Sequence, residues 1–175
     1  MTAQLLAVPE RCTGCMRCAT VCSALKEGMF RPSRARLHVV NFPLEGFSAP
    51  GICFHCPKAD CEKACPEKAI SRDEHGAVVV DRSLCNGCGD CVAACPYGMI
   101  VLDDEAKAFK CDLCGGDPAC VKECEFGALL YGKPEGDLLK ARGLQMKQRM
   151  PGEMAPEEKR RNLAVNLMKA LRSDG

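Results

Sequence analysis

The sequence has no tryptophan, two tyrosines and six phenylalanines, an aromatic content of 5% in 175 residues. That length suits one domain or two very small ones, but aromatic side chains cannot be the main filling of its core. No stretch approaches the roughly 18 consecutive apolar residues of a membrane-spanning helix, so direct membrane insertion is not expected. The opening MTAQLLAVPERC shows neither the basic region nor the apolar run of a signal peptide, and the expected compartment is cytoplasmic. Charge of one sign is also missing: 24 Lys or Arg face 23 Asp or Glu, a formal net charge of +1, which gives no footing to nucleic-acid binding. Nothing has the look of a catalytic acid–base pair or an activated nucleophile, so the chain is expected to make and break no bonds of its own.

What stands in excess is cysteine, at 16 positions. Three uses compete for so many thiols: a disulfide scaffold, several zinc sites, or iron–sulfur clusters. The absent leader weakens the first. The spacing then separates the other two. Cys12, Cys15, Cys18 and Cys22 form CxxCxxCxxxC in CTGCMRCATVC, and Cys85, Cys88, Cys91 and Cys95 repeat it in CNGCGDCVAACP. Cys53, Cys56, Cys61 and Cys65 widen the second gap to four residues, and Cys111, Cys114, Cys120 and Cys124 widen it to five. All sixteen cysteines are used. Structural zinc favours paired CxxC knuckles a dozen or more residues apart, often with histidine; here the thiols come as three plus one, with three histidines in all. Three thiolates two residues apart can be presented by one tight loop around a cluster, with backbone N–H groups turned toward sulfur. Gly14 and Gly87 sit where a side chain would obstruct that turn. A zinc-stabilised binding module is the alternative from another class.

The connecting segments are short. PEKAISRDEHGAVVVDRSL reads as a strand, a turn from Asp73 to Gly76 and a β-branched strand from Val78 to Val80, and PYGMIVLDDEAKAFK repeats the idea. The expected class is α+β: cysteine loop, helical turn and hairpin, iterated, followed by a helical tail. PSRARLHVV reads as a further strand.

CNGCGDCVAACPYGMI, preceded by CPEKAI and GAVVVD, resembles a bacterial two-cluster ferredoxin, and the four quartets resemble the four-cluster electron-transfer subunits of multi-subunit redox enzymes. The resemblance covers roughly Ala7 to Leu130. It implies two ferredoxin-like dicluster modules, four 4Fe-4S clusters, and fourth cysteines that ligate the neighbouring cluster rather than their own. In such subunits the first quartet pairs with the fourth and the second with the third. Carried over, Cys12, Cys15, Cys18 and Cys124 would hold one cluster, and Cys22, Cys111, Cys114 and Cys120 its neighbour. Cys53, Cys56, Cys61 and Cys95 would hold a third, and Cys65, Cys85, Cys88 and Cys91 a fourth. Sequential pairing, first with second and third with fourth, satisfies the same spacings. The resemblance further implies a catalytic partner subunit, a molybdenum or tungsten pterin enzyme, and a second electron donor or acceptor. The overall texture is most similar to the small subunit of tungsten-dependent aldehyde oxidoreductases; a hydrogenase or formate dehydrogenase subunit and a free-standing polyferredoxin are the alternatives within redox chemistry. Four such clusters, each on the order of −2 when oxidised, would take the loaded chain to about −7.

Other residues have plainer readings. His55 lies inside a complete quartet and is assigned hydrogen bonding or packing; His38 and His75 are expected to be solvated. Tyr97 and Phe126 hold matched places, two residues after a quartet ends, and are expected to pack near clusters. Pro66 and Pro96 follow their last cysteines as in ferredoxins, whereas Ser23 and Glu125 replace that proline, which suggests a wetter outer pair. Arg31, Arg34 and Arg36 are either a docking patch or a solvated strand edge. Residues 1–132 form the expected body and 133–175 the tail, which carries ten Lys or Arg against six Asp or Glu. Within it Pro156, Glu157 and Glu158 mark a helix start. Leu163, Ala164, Leu167, Met168 and Leu171 form one apolar stripe, which either folds back on the body or docks on a partner subunit or a second copy, with Met150 and Met154 nearby.

Overall fold

The computed structural model describes residues 3–173, and its elements follow the cysteine loops in order. Strand β1 (Gln4–Ala7) leads into the first loop and helix α1 (Arg17–Glu27). Strands β2 (His38–Phe42) and β3 (Phe47–Gly51) form a hairpin. The second loop runs into α2 (Asp60–Lys63) and the hairpin β4 (Ile70–Arg72) and β5 (Val78–Val80). The third runs into α3 (Asp90–Ala94) and the hairpin β6 (Ile100–Leu102) and β7 (Ala108–Lys110). After the fourth come α4 (Ala119–Lys122) and β8 (Leu129–Gly132), then α5 (Gly136–Lys147) and α6 (Pro156–Ser173). Mixed helices with small antiparallel strand pairs make this an α+β ferredoxin-like arrangement.

The two middle hairpins are copies in chemistry as well as order. Asp73 Oδ1 accepts from the N–H groups of His75 and Ala77, and Asp103 Oδ1 accepts from those of Glu105 and Lys107. Each Asp thus closes its own turn, as short carboxylates do. The outer elements join by a different route. β1 pairs antiparallel with β8, Leu5 opposite Tyr131 and Leu6 opposite Leu130, so the ends of the body are stitched together and the first and fourth cysteine loops are brought side by side. Isolated two-stranded ribbons are marginal in water. Here Leu5, Ile52, Val78, Ile100, Leu113 and Leu129 share one buried cluster with Cys18, Cys22, Cys53, Cys91, Cys95, Cys111 and Cys120, so the thiols occupy the place that rings fill in other cores.

Two expectations need correction, and one pair of alternatives is narrowed. The PSRARLHVV segment is a tight turn at Pro32–Arg34 before the strand begins at His38, because proline withholds an N–H from pairing. His38 is half-buried rather than solvated, and burial together with Arg160 pushes its pKa down to about 4. Of the two readings of the tail stripe, its first turn follows the one that folds it back on the body, while Leu167, Met168 and Leu171 are half-buried. Leu163 and Ala164 are buried against the body, and α6 lies on the β2–β3 hairpin, where Arg161 stacks 5.0 Å over the Phe42 ring and Arg172 donates to Glu45 O at 2.6 Å. Burial of Leu163 within the chain stabilises it by roughly 2 kcal/mol.

Candidate metal centre

Each cysteine loop makes the same backbone turn. The residue before the second cysteine has positive φ in all four: Gly14 at 73°, His55 at 45°, Gly87 at 81° and Leu113 at 57°. Glycine reaches this region freely, and at Gly14 and Gly87 an added Cβ would collide with Asn41 and Ser48 or with the Ala106 carbonyl. In the widened loops a His and a Leu hold the strained conformation because other contacts fix them. Leu113 is buried, and His55 Nδ1 accepts from the Val78 N–H at 2.9 Å. His55 therefore has the hydrogen-bonding role expected of it. Its pKa is pushed down to about 3, by burial first and then by Lys110, Arg142 and Arg72, so the ring is neutral. Sequence spacing alone did not show that His55 and Leu113 are the counterparts of the two glycines.

The turn gathers thiols from distant parts of the chain. Cys12, Cys15, Cys18 and Cys124 line one hollow of about 360 Å³, together with Phe126. Cys53, Cys56, Cys61 and Cys95 line a second of about 390 Å³, and Cys65, Cys85, Cys88 and Cys91 a third of about 310 Å³. Cys111, Cys22 and Cys114 act on Cys120 more strongly than Cys18 does, Cys114 acts on Cys22, and Lys26 of α1 pairs with Asp112, which groups the remaining four. In every group the fourth member comes from another quartet, and the first quartet meets the fourth while the second meets the third. Among the described residues no three Cys, His, Asp or Glu side chains converge closely enough to share a single metal ion; the thiols stand back around hollows instead.

Burial sets the chemistry of these groups. Loss of water pushes Cys18, Cys61 and Cys111 up to about 12, and Cys56 and Cys91 to about 11, with neighbouring thiols acting in the same direction on each. Without iron these five thiols are protonated, and iron binding must displace those protons. Sulfur is also met by backbone donors. Arg36 N–H donates to Cys22 Sγ at 3.2 Å, Ala69 to Cys65 at 3.3 Å, Met99 to Cys95 and Ala108 to Cys85 at 3.4 Å, and His55 to Cys53 and Leu113 to Cys111 at 3.5 Å. Such donors favour thiolate over thiol. Hollows rimmed by four sulfurs, with N–H groups aimed at them, suit a 4Fe-4S cluster.

Several residues read from sequence fall elsewhere. Arg34 and Arg36 are neither a docking patch nor a solvated edge: both pair with Glu27, at 3.5 and 2.6 Å, and both stack on Phe109. The outer half is not uniformly wetter. Ser23 is fully buried and bonds Thr20 O and the Arg31 N–H, letting α1 run on to Glu27 where proline would interrupt it. Exposed cysteines occur once in each half, at Cys15 and Cys88. Glu125 is exposed and pairs with Arg17 at 2.8 Å. Tyr97 is buried edge-on against Phe54 and donates to Met146 O at 2.5 Å, whereas its sequence counterpart Phe126 is half exposed.

Fold and thiol geometry together define an iron–sulfur protein of the ferredoxin kind, built to carry electrons rather than to catalyse. Two family matches make the assignment particular: residues 44–134 match the 4Fe-4S dicluster domain and residues 9–25 a 4Fe-4S binding domain. The chain belongs to the 4Fe-4S dicluster domain family. It is 42% identical to the polyferredoxin-like subunit of an aliphatic sulfonate oxidoreductase from Pyrococcus furiosus, over 69% of this chain and 70% of that one. It is 37% identical to the thiosulfate reductase electron transfer subunit of Salmonella typhi, over 71% and 72%. A solved active-site complex of benzoyl coenzyme A reductase aligns with 83% of this chain and 88% of its own, at 24% identity and a TM-score of 0.45. No helix among the described residues is long and apolar enough to cross a membrane.

Proposed function

We propose that the chain is a four-cluster electron-transfer subunit. Its clusters would be held by Cys12, Cys15, Cys18 and Cys124; by Cys22, Cys111, Cys114 and Cys120; by Cys53, Cys56, Cys61 and Cys95; and by Cys65, Cys85, Cys88 and Cys91. Each cluster supplies a one-electron carrier when bound. The observation that carries this reading is the gathering of sixteen thiols into four groups of four, three of which line hollows.

The groups form a line. Cys18 acts on Cys120, Cys53 acts on Cys111, and α2 carries Cys61 of the third group, four residues before Cys65 of the fourth. Exposed Cys15 lies in the first group and exposed Cys88 in the last, so one end faces a catalytic subunit and the other a second redox partner. The catalytic subunit is a molybdenum or tungsten pterin oxidoreductase. A tungsten aldehyde oxidoreductase is our first candidate. The 37% relative favours a sulfur-compound reductase as the second, with electrons flowing toward the catalytic site.

Anaerobic purification of the tagged chain at native abundance tests this. The expected result is a larger enzyme holding molybdenum or tungsten, whose substrate reduces, or is reduced through, the clusters. A chain isolated alone, with no pterin enzyme attached, would contradict the subunit role.

A further inference from the structure

Four residues with charged side chains are buried whole among the described residues, and all four are cations: Lys110, Arg142, Lys159 and Arg160, at 6%, 6%, 0% and 8% exposure. The Asp103 side chain is also buried, at 3%, but it is paired with Arg82. None of the four cations forms an ion pair with a described carboxylate; each donates to backbone carbonyls. Lys110 Nζ donates to Val78 O and, at 2.9 Å, to Cys111 O. Arg142 donates to Leu5 O at 3.1 Å and to Phe54 O. Lys159 Nζ donates to Ala93 O and Cys95 O at 3.0 Å and to Gly152 O at 3.2 Å. Arg160 donates to Gly98 O at 2.6 Å.

These contacts converge on one thiol group, with Lys110 shared between it and Cys111 of the next. Lys110 lines the hollow of Cys53, Cys56, Cys61 and Cys95. Arg142 acts on Cys56 and Cys53, Lys159 acts on Cys95, and Arg160 interacts with Glu157 first and Cys95 second. Cations beside the other groups are differently placed. Near Cys12 and Cys124, Arg17 is exposed and paired with Glu123 and Glu125; near Cys22, Lys26 pairs with Asp112 and Arg36 with Glu27. Beside Cys85 there is one, half-buried Lys107, which donates to Cys85 O. Four unpaired cations in a dry site are expensive unless something anionic joins them, and salt cannot screen them there.

We infer that Lys110, Arg142, Lys159 and Arg160 make the Cys53, Cys56, Cys61 and Cys95 site the most oxidising of the four, the station where an electron rests. The inference depends on the four-cluster reading above. Burial alone would disfavour adding an electron to this site, because reduction increases its negative charge; four fixed cations reverse that order. One electron arrives from an adjacent cluster and leaves to another. No bond forms or breaks and no proton moves, since ammonium and guanidinium groups already hold the compensating charge. Two of the four cations come from α6, so the tail is a tuning element for the relay and not only a cover.

The test is an anaerobic reductive titration of the full-length loaded chain followed by EPR, with iron counted in each sample. Lys159→Met should shift the highest of the potentials to more negative values and leave the others in place at full iron content. Lys159→Arg should restore it, and exposed Lys140→Gln, outside every cysteine loop, should change nothing. Arg160→Gln, nearer the helix surface, provides the same readout if Lys159→Met loads poorly. An unmoved highest potential, a uniform shift of all of them, or iron loss from both variants with the remaining potentials unchanged would each overturn the inference. A wild-type chain without iron would instead overturn the four-cluster reading on which it stands.

Discussion

His55 and Leu113 occupy a left-handed backbone position that their glycine counterparts reach without strain. Their cost, of order 1 kcal/mol each, is offset by what their side chains do: Leu113 fills the core and His55 holds the Val78 N–H. Asparagine tolerates this conformation and keeps an acceptor, whereas a β-branched side chain tolerates neither demand. His55→Asn is therefore expected to retain full iron, and His55→Val to lose about a quarter of it, about four irons per chain. Iron analysis after anaerobic purification decides, and full iron in the valine variant would show that the turn is not required. Single residues were unevenly legible. Gly14 and Gly87 declared their turn in the sequence, because only glycine is free there. His55 and Leu113 did not, since a strained residue is recognised by the contacts that hold it.

Helix α6 shows the same contrast at the scale of an element. Its start at Pro156 and its apolar stripe were legible from spacing, but its destination was not, because a stripe does not name the surface that covers it. A signal was present: Lys159 falls four residues before Leu163 and eight before Leu167, on the apolar face, where a solvated lysine has no place. The helix also carries a pH dependence. His38, on β2, is held at about 4 by burial first and by Arg160 second, below its ordinary 6.5. A folded-state pKa lowered in this way contributes stability that is full above about 6.5 and disappears as pH falls toward about 4. Thermal melting should therefore drop over that window by roughly 1–3 kcal/mol more in the native chain than in His38→Gln. Equal acid sensitivity of the two would remove His38 from the account.

At the scale of the whole molecule, topology does what the spacing of cysteines left open. The sequence permitted nested and sequential pairing of the quartets alike. The β1–β8 ribbon brings the ends of the body together, and the matched hairpins β4–β5 and β6–β7 hold the middle, so thiols meet in the nested order. Long-range strand pairing of this kind leaves little trace in QLLA or LLYG, each only four residues long. Apart from Lys159, the buried cations were hidden for a similar reason: a lysine or arginine in a short strand or a charged helix is solvated in most proteins, and only the assembled fold brings Lys110 of β7, Arg142 of α5 and Lys159 and Arg160 of α6 together. Those cations, the N–H groups aimed at sulfur and the thiols standing back around hollows all call for a sulfur-rich anionic group. The most direct measurement is the iron and acid-labile sulfide content of the anaerobically purified chain. The account predicts about sixteen of each per chain; a colourless protein with about four zinc ions and no sulfide would contradict it.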